Sequence, residues 1–413
     1  MKTCPPRHHS QRSVRTTVAI LGCAALVTVS ACSGSSSGGA AKSTASDAKS
    51  TSAPPASTGS SASSTSTGSS GSTGVAAEVA QLEKPVTSYT LPSTPINTKS
   101  LSGKTIYYIP ITQQASSFKV VGDAVTAALA KVGMKTQICD GAANPTSISA
   151  CVNQAVGAGA AGIIMDAIPY VLAANALSRA QARGVPVVVT DQLADPSHPA
   201  GAKLGYVPGP GPQMLAASAK WIIADSGGKA VVVANQVSDN PSSIAFMASA
   251  LSVFKTQCPG CKVVVNKVAQ SNFQLVAPST SSAVLKTPGV NYVLAEYDNF
   301  LQPTAAGVQQ AGKAASVKLV STAAVLSSLQ AMAKGKAPAA DVGQDLAFQG
   351  WSDVDAILRL ALKKPVPKYS DPYRLLTRNN IHSIVLTQAA FESGKWFGPA
   401  DFATKFAALW KAS

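Results

Sequence analysis

The chain has 413 residues, and its 34 basic and 19 acidic side chains give a formal net charge of +15. Hydrophobic residues make up 46% and charged residues 13%, which excludes a collagen-like or wholly disordered protein and allows two or three folded domains. Only His198 and His382 lie beyond the first nine residues, which excludes a histidine-rich metal site and disfavours a histidine-based catalytic triad.

The first segment, residues 1–31, has the layout of an export signal. Four basic residues and no acidic one precede an apolar run over 18–29, and small residues follow it. The run is too short for a permanent membrane helix, and the lack of an Arg-Arg pair favours the general secretory route. Val29 to Cys32 resemble the bacterial lipobox, which implies lipidation of Cys32 and anchoring to the outer face of the cytoplasmic membrane. The alternative is an ordinary cleavage site that precedes a cysteine.

A stretch of mostly Ser, Gly, Thr and Ala follows, over residues 32–75. Such a sequence buries too little apolar surface to offset its chain entropy, which predicts a flexible tether. Residues 76–102 would then lead into the folded body.

Four further cysteines predict disulfides, because an even number in an exported protein is typical of paired cysteines. Their proximity suggests the pairs Cys139–Cys151 and Cys258–Cys261. The second pair has the spacing of a redox or zinc motif, but it follows a helix-like segment and no nearby pair supplies further zinc ligands. We interpret it as a staple across a turn, and the sequence predicts no metal site and no cofactor.

The basic side chains are scattered, without a cluster interleaved with aromatic residues, which argues against nucleic-acid binding. Attraction to an anionic cell wall or membrane surface accounts for the sign of the charge equally well.

From residue 103 onward, strand-like and helix-like segments alternate. The first series has strands at 105–109, 135–138, 162–165 and 185–189 and helices at 118–132, 147–155 and 171–183. The pattern pauses over 196–212 and then repeats, with helices at 214–224 and 243–256 and strands at 230–234, 262–265, 292–295 and 317–320. Short apolar strands between helices predict parallel sheets covered on both faces, and the doubled pattern predicts two α/β lobes.

The sequence motifs do not indicate nucleotide binding or hydrolysis. Residues 157–162 match the glycine pattern of dinucleotide-binding proteins, but they follow a helix and precede a strand, the reverse of the required order. The sequence has no glycine-rich loop ending in Lys-Ser/Thr and no His-Glu-x-x-His motif.

The order of several short segments carries a family resemblance. A polar loop ending in Ser117-Phe118 follows the opening strand, and residues 162–166 stand where the family has a Gly-Ile-Ile strand. Residues 180–191 resemble its Gly-Ile-Pro-Val-Val…Asp segment, residues 345–359 its return helix, and residues 373–381 its last crossover strand. Over residues 103–380 the chain thus resembles the ribose-type, sugar-binding family of type I periplasmic solute-binding proteins of ABC transporters.

This resemblance implies an α/β fold of two Rossmann-like lobes, joined by three crossover strands, that close over a ligand. Residues 103–205 and 346–368 would form lobe 1, and residues 206–345 and 369–382 lobe 2. Residues 383–413 form a C-terminal extension past the family core, and its aromatic residues Trp396, Phe397, Phe402 and Trp410 predict an amphipathic helix that covers one lobe, with a partner site as the alternative. Together with the lipobox, the resemblance predicts a non-enzymatic lipoprotein that captures a small polar ligand and delivers it to an ABC permease. We expect the protein to be a monomer.

Polar side chains follow the predicted strands at their carboxyl ends, where open α/β sheets bind ligands. Carboxylates and amides suit sugar hydroxyls because they accept or donate hydrogen bonds in fixed pairs, and aromatic rings can stack on a sugar face. The predicted ligand-binding residues are Gln113, Gln114, Phe118, Asp166, Asp191, Asn235, Asp298 and Gln349. Asp140 and Asp191 could instead cap helices, and Tyr170, Phe273, Tyr297 and Trp351 could either stack on a ligand or pack. No Arg follows these strands, a departure from the family's sugar binders, which often place one in the cleft.

Two other functions stay open at this point. The same clamp could report its ligand to a membrane kinase or chemoreceptor. A secreted hydrolase ranks last, because it needs paired carboxylates, and Asp353 and Asp355 lie two residues apart on different faces of a helix.

Overall fold

The structure, a computed structural model, describes residues 70–410. The predicted signal, Cys32 and residues 32–69 of the predicted tether lie outside the described residues.

Helices and strands alternate along the described chain. The strands are β1 (Thr105–Pro110), β2 (Lys135–Ile138), β3 (Gly162–Asp166), β4 (Val187–Thr190), β5 (Leu204–Val207), β6 (Val231–Val237), β7 (Lys262–Val268), β8 (Tyr292–Ala295), β9 (Lys318–Thr322), β10 (Ala340–Gln344) and β11 (Tyr373–Thr377). The α-helices are α1 (Ser70–Leu82), α2 (Ser116–Ala130), α3 (Pro145–Gly157), α4 (Ala174–Ala182), α5 (Gly211–Asp225), α6 (Pro241–Gln257), α7 (Val276–Leu285), α8 (Asp298–Gln310), α9 (Leu326–Ala333), α10 (Leu346–Ala361), α11 (Gln388–Glu392) and α12 (Phe402–Leu409).

The first lobe is built on a parallel sheet with the strand order β2-β1-β3-β4-β5. Successive side chains of a strand point to opposite faces of a sheet, and the core divides accordingly. Ile106, Tyr108 and Ile164 pack with α2 and α10, whereas Tyr107 and Ile163 pack with α3 and α4. Both faces are therefore covered, which is why β3 and β4 are buried along their length and apolar up to their last residues, Asp166 and Thr190.

The second lobe repeats this strand order and adds one strand at an edge. Its sheet has the order β11-β10-β9-β8-β6-β7, in which β10 and β11 are antiparallel and the other pairs are parallel. Val232 and Leu294 pack with α5 and α6, and Val233 and Val293 pack with α7 and α8. The same alternation of faces thus builds both lobes.

Three connections pass between the lobes. Residues 208–210 lead from β5 to α5, Asp345 leads from β10 to α10, and residues 362–372 lead from α10 back to β11. Helix α10 packs on α2 and on β3, β4 and β5 of the first lobe, and its residues from Leu346 to Leu360 are buried. The fold is the predicted one: two α/β lobes, each a parallel sheet flanked by helices, joined by three crossings.

The structure differs from the predicted tether at its C-terminal end. Helix α1 begins at Ser70, so residues 70–75 are helical. Val75 and Val79 are buried against the core of the second lobe, where α1 packs on α5. Apolar residues at helical spacing give this segment the buried face that the preceding Ser/Gly-rich residues do not offer.

Two segments outside the alternating pattern complete the core of the first lobe, and together we call residues 83–101 and 384–410 the strap. Tyr89 from the first segment and Phe402 and Trp410 from the second share one apolar cluster with α2 and α10. The two segments also bond to each other, since the Ile96 amide N–H donates to the Leu409 carbonyl at 2.8 Å.

The strap contacts both lobes at their junction. The Tyr89 hydroxyl donates to the carboxylate of Asp345 at 2.6 Å, in the crossing that enters α10. The buried Arg374 of β11, in the second lobe, donates to the carbonyl oxygens of Glu83 at 2.8 Å and Trp396 at 2.7 Å. Helix α12 packs on α10.

Some elements fall where the sequence predicts none. Strand β5 lies in the predicted pause over 196–212, and the predicted lobe boundary after residue 205 falls inside it. Helix α9 and strand β10 have no counterpart among the predicted segments. Both predicted disulfides are confirmed: Cys139–Cys151 links the end of β2 to α3, and Cys258–Cys261 spans the turn between α6 and β7.

Candidate functional site

A cavity of about 700 Å³ lies between the two lobes. Its first-lobe wall comes from the segments that follow β1, β3 and β4, and its second-lobe wall from those that follow β6, β7, β8 and β9. The crossing between β10 and α10 contributes Gln344, Leu346 and Gln349. The cavity thus lies at the carboxyl ends of both parallel sheets, where open α/β sheets bind ligands.

The first-lobe wall includes Gln114 and Phe118, in the segment between β1 and α2. Asp140 shapes this wall from behind, because its Oδ1 accepts the backbone N–H of Gln113 at 3.0 Å and of Ala142 at 2.8 Å. Asp140 is therefore a loop-ordering residue, while Asn144 caps α3.

A buried polar chain runs beneath the first-lobe wall. Asp166, the last residue of β3, accepts hydrogen bonds from the Tyr108 hydroxyl at 2.5 Å and from Gln349 Nε2 at 3.2 Å. Gln349 Oε1 accepts from Gln344 Nε2 at 2.8 Å, and that nitrogen also donates to the Asp191 carboxylate, at 2.9 Å to Oδ2. The chain therefore links two first-lobe strands to the crossing that enters α10.

The carboxyl groups of this region lie close enough to repel one another. Burial raises the pKa of Asp166, and the nearby Asp191 carboxylate raises it further. Burial raises the pKa of Asp191 as well. The pKa values of Asp353 and Asp371 are raised by burial and then by these neighbouring carboxylates. The space behind the cavity is therefore electrostatically unfavourable to negative charge.

Strained backbone surrounds the cavity. Non-glycine residues with positive φ follow β3 at Ala167 (56°), β4 at Asp191 (54°) and β9 at Ala323 (102°) and Ala324 (47°). The left-handed region costs an L-residue about 1–2 kcal/mol, and alanine has no polar side chain to offset that cost. Strain of this kind at strand ends that meet in one cleft is typical of a ligand site.

The second-lobe wall is organised around Asp298, the first residue of α8. Its Oδ2 accepts the backbone N–H of Val325 at 2.9 Å, and Asp341 of β10 accepts the N–H of Ala324 at 3.0 Å. The strained segment after β9 thus directs its N–H groups at two carboxyls. Burial raises the pKa of Asp298, and burial and the Asp298 carboxylate raise that of Asp341. Tyr297 also lines the cavity, and its hydroxyl bonds to the Ser243 hydroxyl at 2.8 Å.

A family model described as a periplasmic binding protein domain matches residues 106–365, from β1 to just beyond α10. The chain belongs to this family. No curated protein sequence matches it.

Solved structures share the fold of this periplasmic binding protein at low sequence identity. The solute binding protein of a 5-methylthioribose transporter from Thermotoga lettingae TMO, in complex with 5-methylthioribose, is 19% identical with a TM-score of 0.60, covering 77% of this chain and 99% of that one. A solute binding protein from Agrobacterium vitis, bound with α-D-tagatopyranose, is 18% identical with a TM-score of 0.61, covering 70% and 97%. One from Bacillus halodurans C-125, with bound myo-inositol, is 17% identical with a TM-score of 0.59, covering 68% and 97%.

Most of the predicted ligand-binding residues of this binding protein line its cavity. These are Gln114, Phe118, Asp191, Asp298 and Gln349. Gln113 is half-buried outside the lining, and Asp166 lies behind Gln349.

Asn235 is placed away from the cavity, inside the second lobe. It is fully buried, and its Nδ2 donates to the Oγ1 atoms of Thr280 at 2.8 Å and Thr304 at 2.9 Å. Its Oδ1 accepts from Asn266 at 2.8 Å. The amide is thus committed to joining β6 to its neighbours, and Asn235 is corrected from a ligand-binding residue to a core polar residue.

The lining also includes polar residues outside the predicted set, notably Gln192, Asn240 and Gln344. Asn240 had a sequence signal, because it precedes Pro241 after a strand, and its Oδ1 accepts the N–H groups of Ser242 and Ser243 as a helix cap. Gln344 had none, since β10 was not predicted.

The aromatic lining consists of Phe118, Phe246, Tyr297 and Phe300. Tyr170 and Trp351, two other candidates, pack elsewhere: Tyr170 stacks on His198 and Trp351 on Trp410. Phe273 is exposed to 41% and packs edge-on against Phe300 outside the lining.

Among the described residues that line the cavity, none is a Lys, Arg or His. Within residues 70–410, no group of three or more His, Cys, Asp or Glu is arranged to hold a metal ion. The same part of the chain has no helix that combines the length and apolarity needed to cross a membrane.

Proposed function

We propose that this protein is an extracytoplasmic solute-binding lipoprotein that captures a small polar ligand, a sugar or related compound, and delivers it to an ABC importer. The observation that carries the proposal is a cavity lined by polar side chains from both lobes and from the crossing between them. A ligand that contacts both walls binds the closed arrangement better than the open one, and so shifts the population toward closure. The importer would recognise that closed form.

The character of the lining supports a polar ligand of sugar size. Amide, hydroxyl and carboxylate groups and aromatic rings together line a cavity of about 700 Å³, a volume within the range of small-molecule sites. The relatives of known structure are bound to 5-methylthioribose, tagatopyranose and myo-inositol, which are compounds of this kind.

The lipoprotein part of the proposal depends on Val29 to Cys32 and the basic, apolar segment before them. We expect the expressed chain to incorporate labelled fatty acid and to sediment with membranes. Cys32→Ser should abolish both. Equal labelling of the two forms would exclude a lipid on Cys32.

The ligand proposal is tested by thermal unfolding of residues 33–413 with pentoses, hexoses, polyols, amino acids and small aromatic acids. A specific ligand at a hundred times its dissociation constant adds about 2.7 kcal/mol to the free energy of unfolding, a clear rise in midpoint. Ala115→Trp, which adds bulk to a lining residue of the cavity, should abolish the shift, whereas Ala314→Trp on an exposed turn should keep it.

Delivery is tested by uptake of the labelled ligand in cells with and without the gene. Uptake that requires the protein supports the importer role. Ligand binding with unchanged uptake would favour a sensory role, and a panel without any hit would contradict solute capture from these classes.

A further inference from the structure

The lining of the cavity is acidic. Asp191 contributes a carboxylate from the first lobe and Asp298 one from the second, and no basic side chain among the described lining residues faces them. Asp191 receives its hydrogen bonds from the neutral amide of Gln344. The two walls thus present carboxyl groups without a basic side chain among the described lining residues.

In the part of the chain that the structure describes, several buried polar atoms at the cavity have no hydrogen-bond partner, and those on the lining side chains are acceptors. A donor, Nε2 of Gln113, is also without a partner among the described residues, in the loop next to the lining. Within residues 70–410, Asp298 Oδ1, Gln192 Oε1 and Gln344 Oε1 have no hydrogen-bond partner. Their side chains are 9%, 4% and 5% exposed, respectively. The amide orientations are fixed, because Nε2 of Gln192 donates to the Asp191 carbonyl at 2.8 Å and Nε2 of Gln344 donates to the Asp191 carboxylate.

Hydrogen-bond acceptors without a partner favour a ligand that donates hydrogen bonds. A hydroxyl group both donates and accepts, whereas an ammonium group only donates. A hydrogen bond between an ammonium and a carboxylate is also stronger than one between neutral groups.

The aromatic residues and the groups behind the lining favour the same charge. Phe118, Phe246, Tyr297 and Phe300 line the cavity, and aromatic rings attract organic cations that lie over their faces. Asp341 lies behind Asp298, and Asp166 lies behind Gln349, and a cation in the cavity would favour the charged forms of these buried carboxyls.

We propose that the solute carries a protonated amine that contacts the Asp298 carboxylate. The inference rests on the proposed function and narrows its ligand class to cationic small solutes, with amino sugars and amino polyols as the first members to examine.

The test compares matched pairs of probes on residues 33–413 by calorimetry: glucosamine with glucose, galactosamine with galactose, and glucamine with sorbitol. Putrescine is added as a cation that is not a sugar, and glucuronate as a sugar that carries a negative charge. We expect at least one amine to bind about tenfold or more tightly than its neutral partner, and glucuronate to bind weakest.

A variant locates the contact. Asp298→Asn should weaken binding of the amine about tenfold more than it weakens binding of the neutral partner. Asp123→Asn, the same change on the exposed face of α2, should alter neither. If Asp298→Asn does not fold, the comparison of amines with their neutral partners on the unaltered chain still tests whether the solute carries an amine.

Each outcome has one reading. Neutral sugars that bind as tightly as their amines overturn the inference and leave the proposed function standing. Putrescine binding alone supports the inference and removes the sugar from the proposed function. Silence from every probe overturns the inference and counts against solute capture from these classes.

Discussion

Asp191 lines the cavity, has a positive φ of 54° and accepts two hydrogen bonds from Gln344. Its carboxylate lies against Gly209, in the first crossing between the lobes, so closely that a Cβ at position 209 would collide with Oδ1. Position 209 therefore needs glycine because of this close approach. The first crossing, at Gly209, and the cavity wall, at Asp191, are thus in close contact at the Oδ1 atom of Asp191.

Gly209→Ala is predicted to destabilise the protein by about 1–3 kcal/mol, the usual cost of forcing extra volume into a packed site. It should also weaken ligand binding, because Asp191 has to move. Gly157→Ala is the matched control, because Gly157 lies in α3 with open space around its Cβ position. The alanine lowers the conformational entropy of the unfolded chain and should stabilise the protein by about 0.4–1 kcal/mol. Denaturant unfolding measures both, and equal effects would show that the close approach at 209 carries no cost.

The prediction that polar residues at the carboxyl ends of the strands line the cavity depends on locating the last residue of each strand correctly. Asp191 follows β4 directly, and Asp298 begins the helix after β8, so both reach the cavity. The apolar run predicts that β6 ends at residue 234, but the strand continues to Val237. Asn235 is therefore inside the sheet, and its side chain points to α7 and α8. Hydrophobicity alone could not reveal this, because the extra strand residues Asn235 and Gln236 are polar.

The two disulfides differ in how much chain each one closes. Cys139–Cys151 spans 12 residues and joins β2 to α3, beside the Asp140 loop that shapes the cavity wall, whereas Cys258–Cys261 spans 3 residues of a turn. A crosslink restricts the unfolded chain more when it closes a longer loop. The first disulfide is therefore the more consequential one for both stability and the site.

Replacing both cysteines of a pair by serine tests this difference. We predict a loss of about 3 kcal/mol for Cys139–Cys151 and about 2 kcal/mol for Cys258–Cys261, from the loop-closure relation. Ligand binding should weaken in the first double variant and stay unchanged in the second. A larger loss of stability in the second would contradict the loop-length argument.

At the scale of the whole molecule, the buried acids set an unusual pH dependence. Burial raises the pKa of Glu296 to about 8 and that of Asp345 to about 6, above the ordinary values near 4. The folded state therefore binds protons more tightly than the unfolded chain does. The stability from these groups is complete below about pH 4 and is lost as the pH rises through about 6 and 8.

The ligand-free protein is thus predicted to become less stable between pH 5 and pH 8. Thermal midpoints across this range measure the effect. Glu296→Gln should flatten the decline at its alkaline end, while Asp123→Asn, on the exposed face of α2, should leave the slope unchanged. A midpoint that rises steadily to pH 8 would mean that these carboxyls are charged in the folded state.

Sequence reasoning recovers the two lobes because periodic apolar segments are a local signal. The strap is not local: Tyr89 reaches Asp345, and the Ile96 amide reaches the Leu409 carbonyl. Aromatic residues in 383–413 predict a helix that covers one lobe, but nothing in them indicates a second segment from before β1. Contacts between distant parts of a chain leave no periodic trace in either part.

The strap also affects the order in which the molecule can be completed during synthesis. The core of the first lobe includes Tyr89, Ile96 and Leu101, which the ribosome makes early, and Phe406 and Trp410, which it makes last. Domains tend to fold as they emerge, yet this core has an open side until residues 384–410 have been released. The core of the second lobe is built from residues up to β11 and has no such requirement. The lobe that is translated first is therefore the one that finishes folding last.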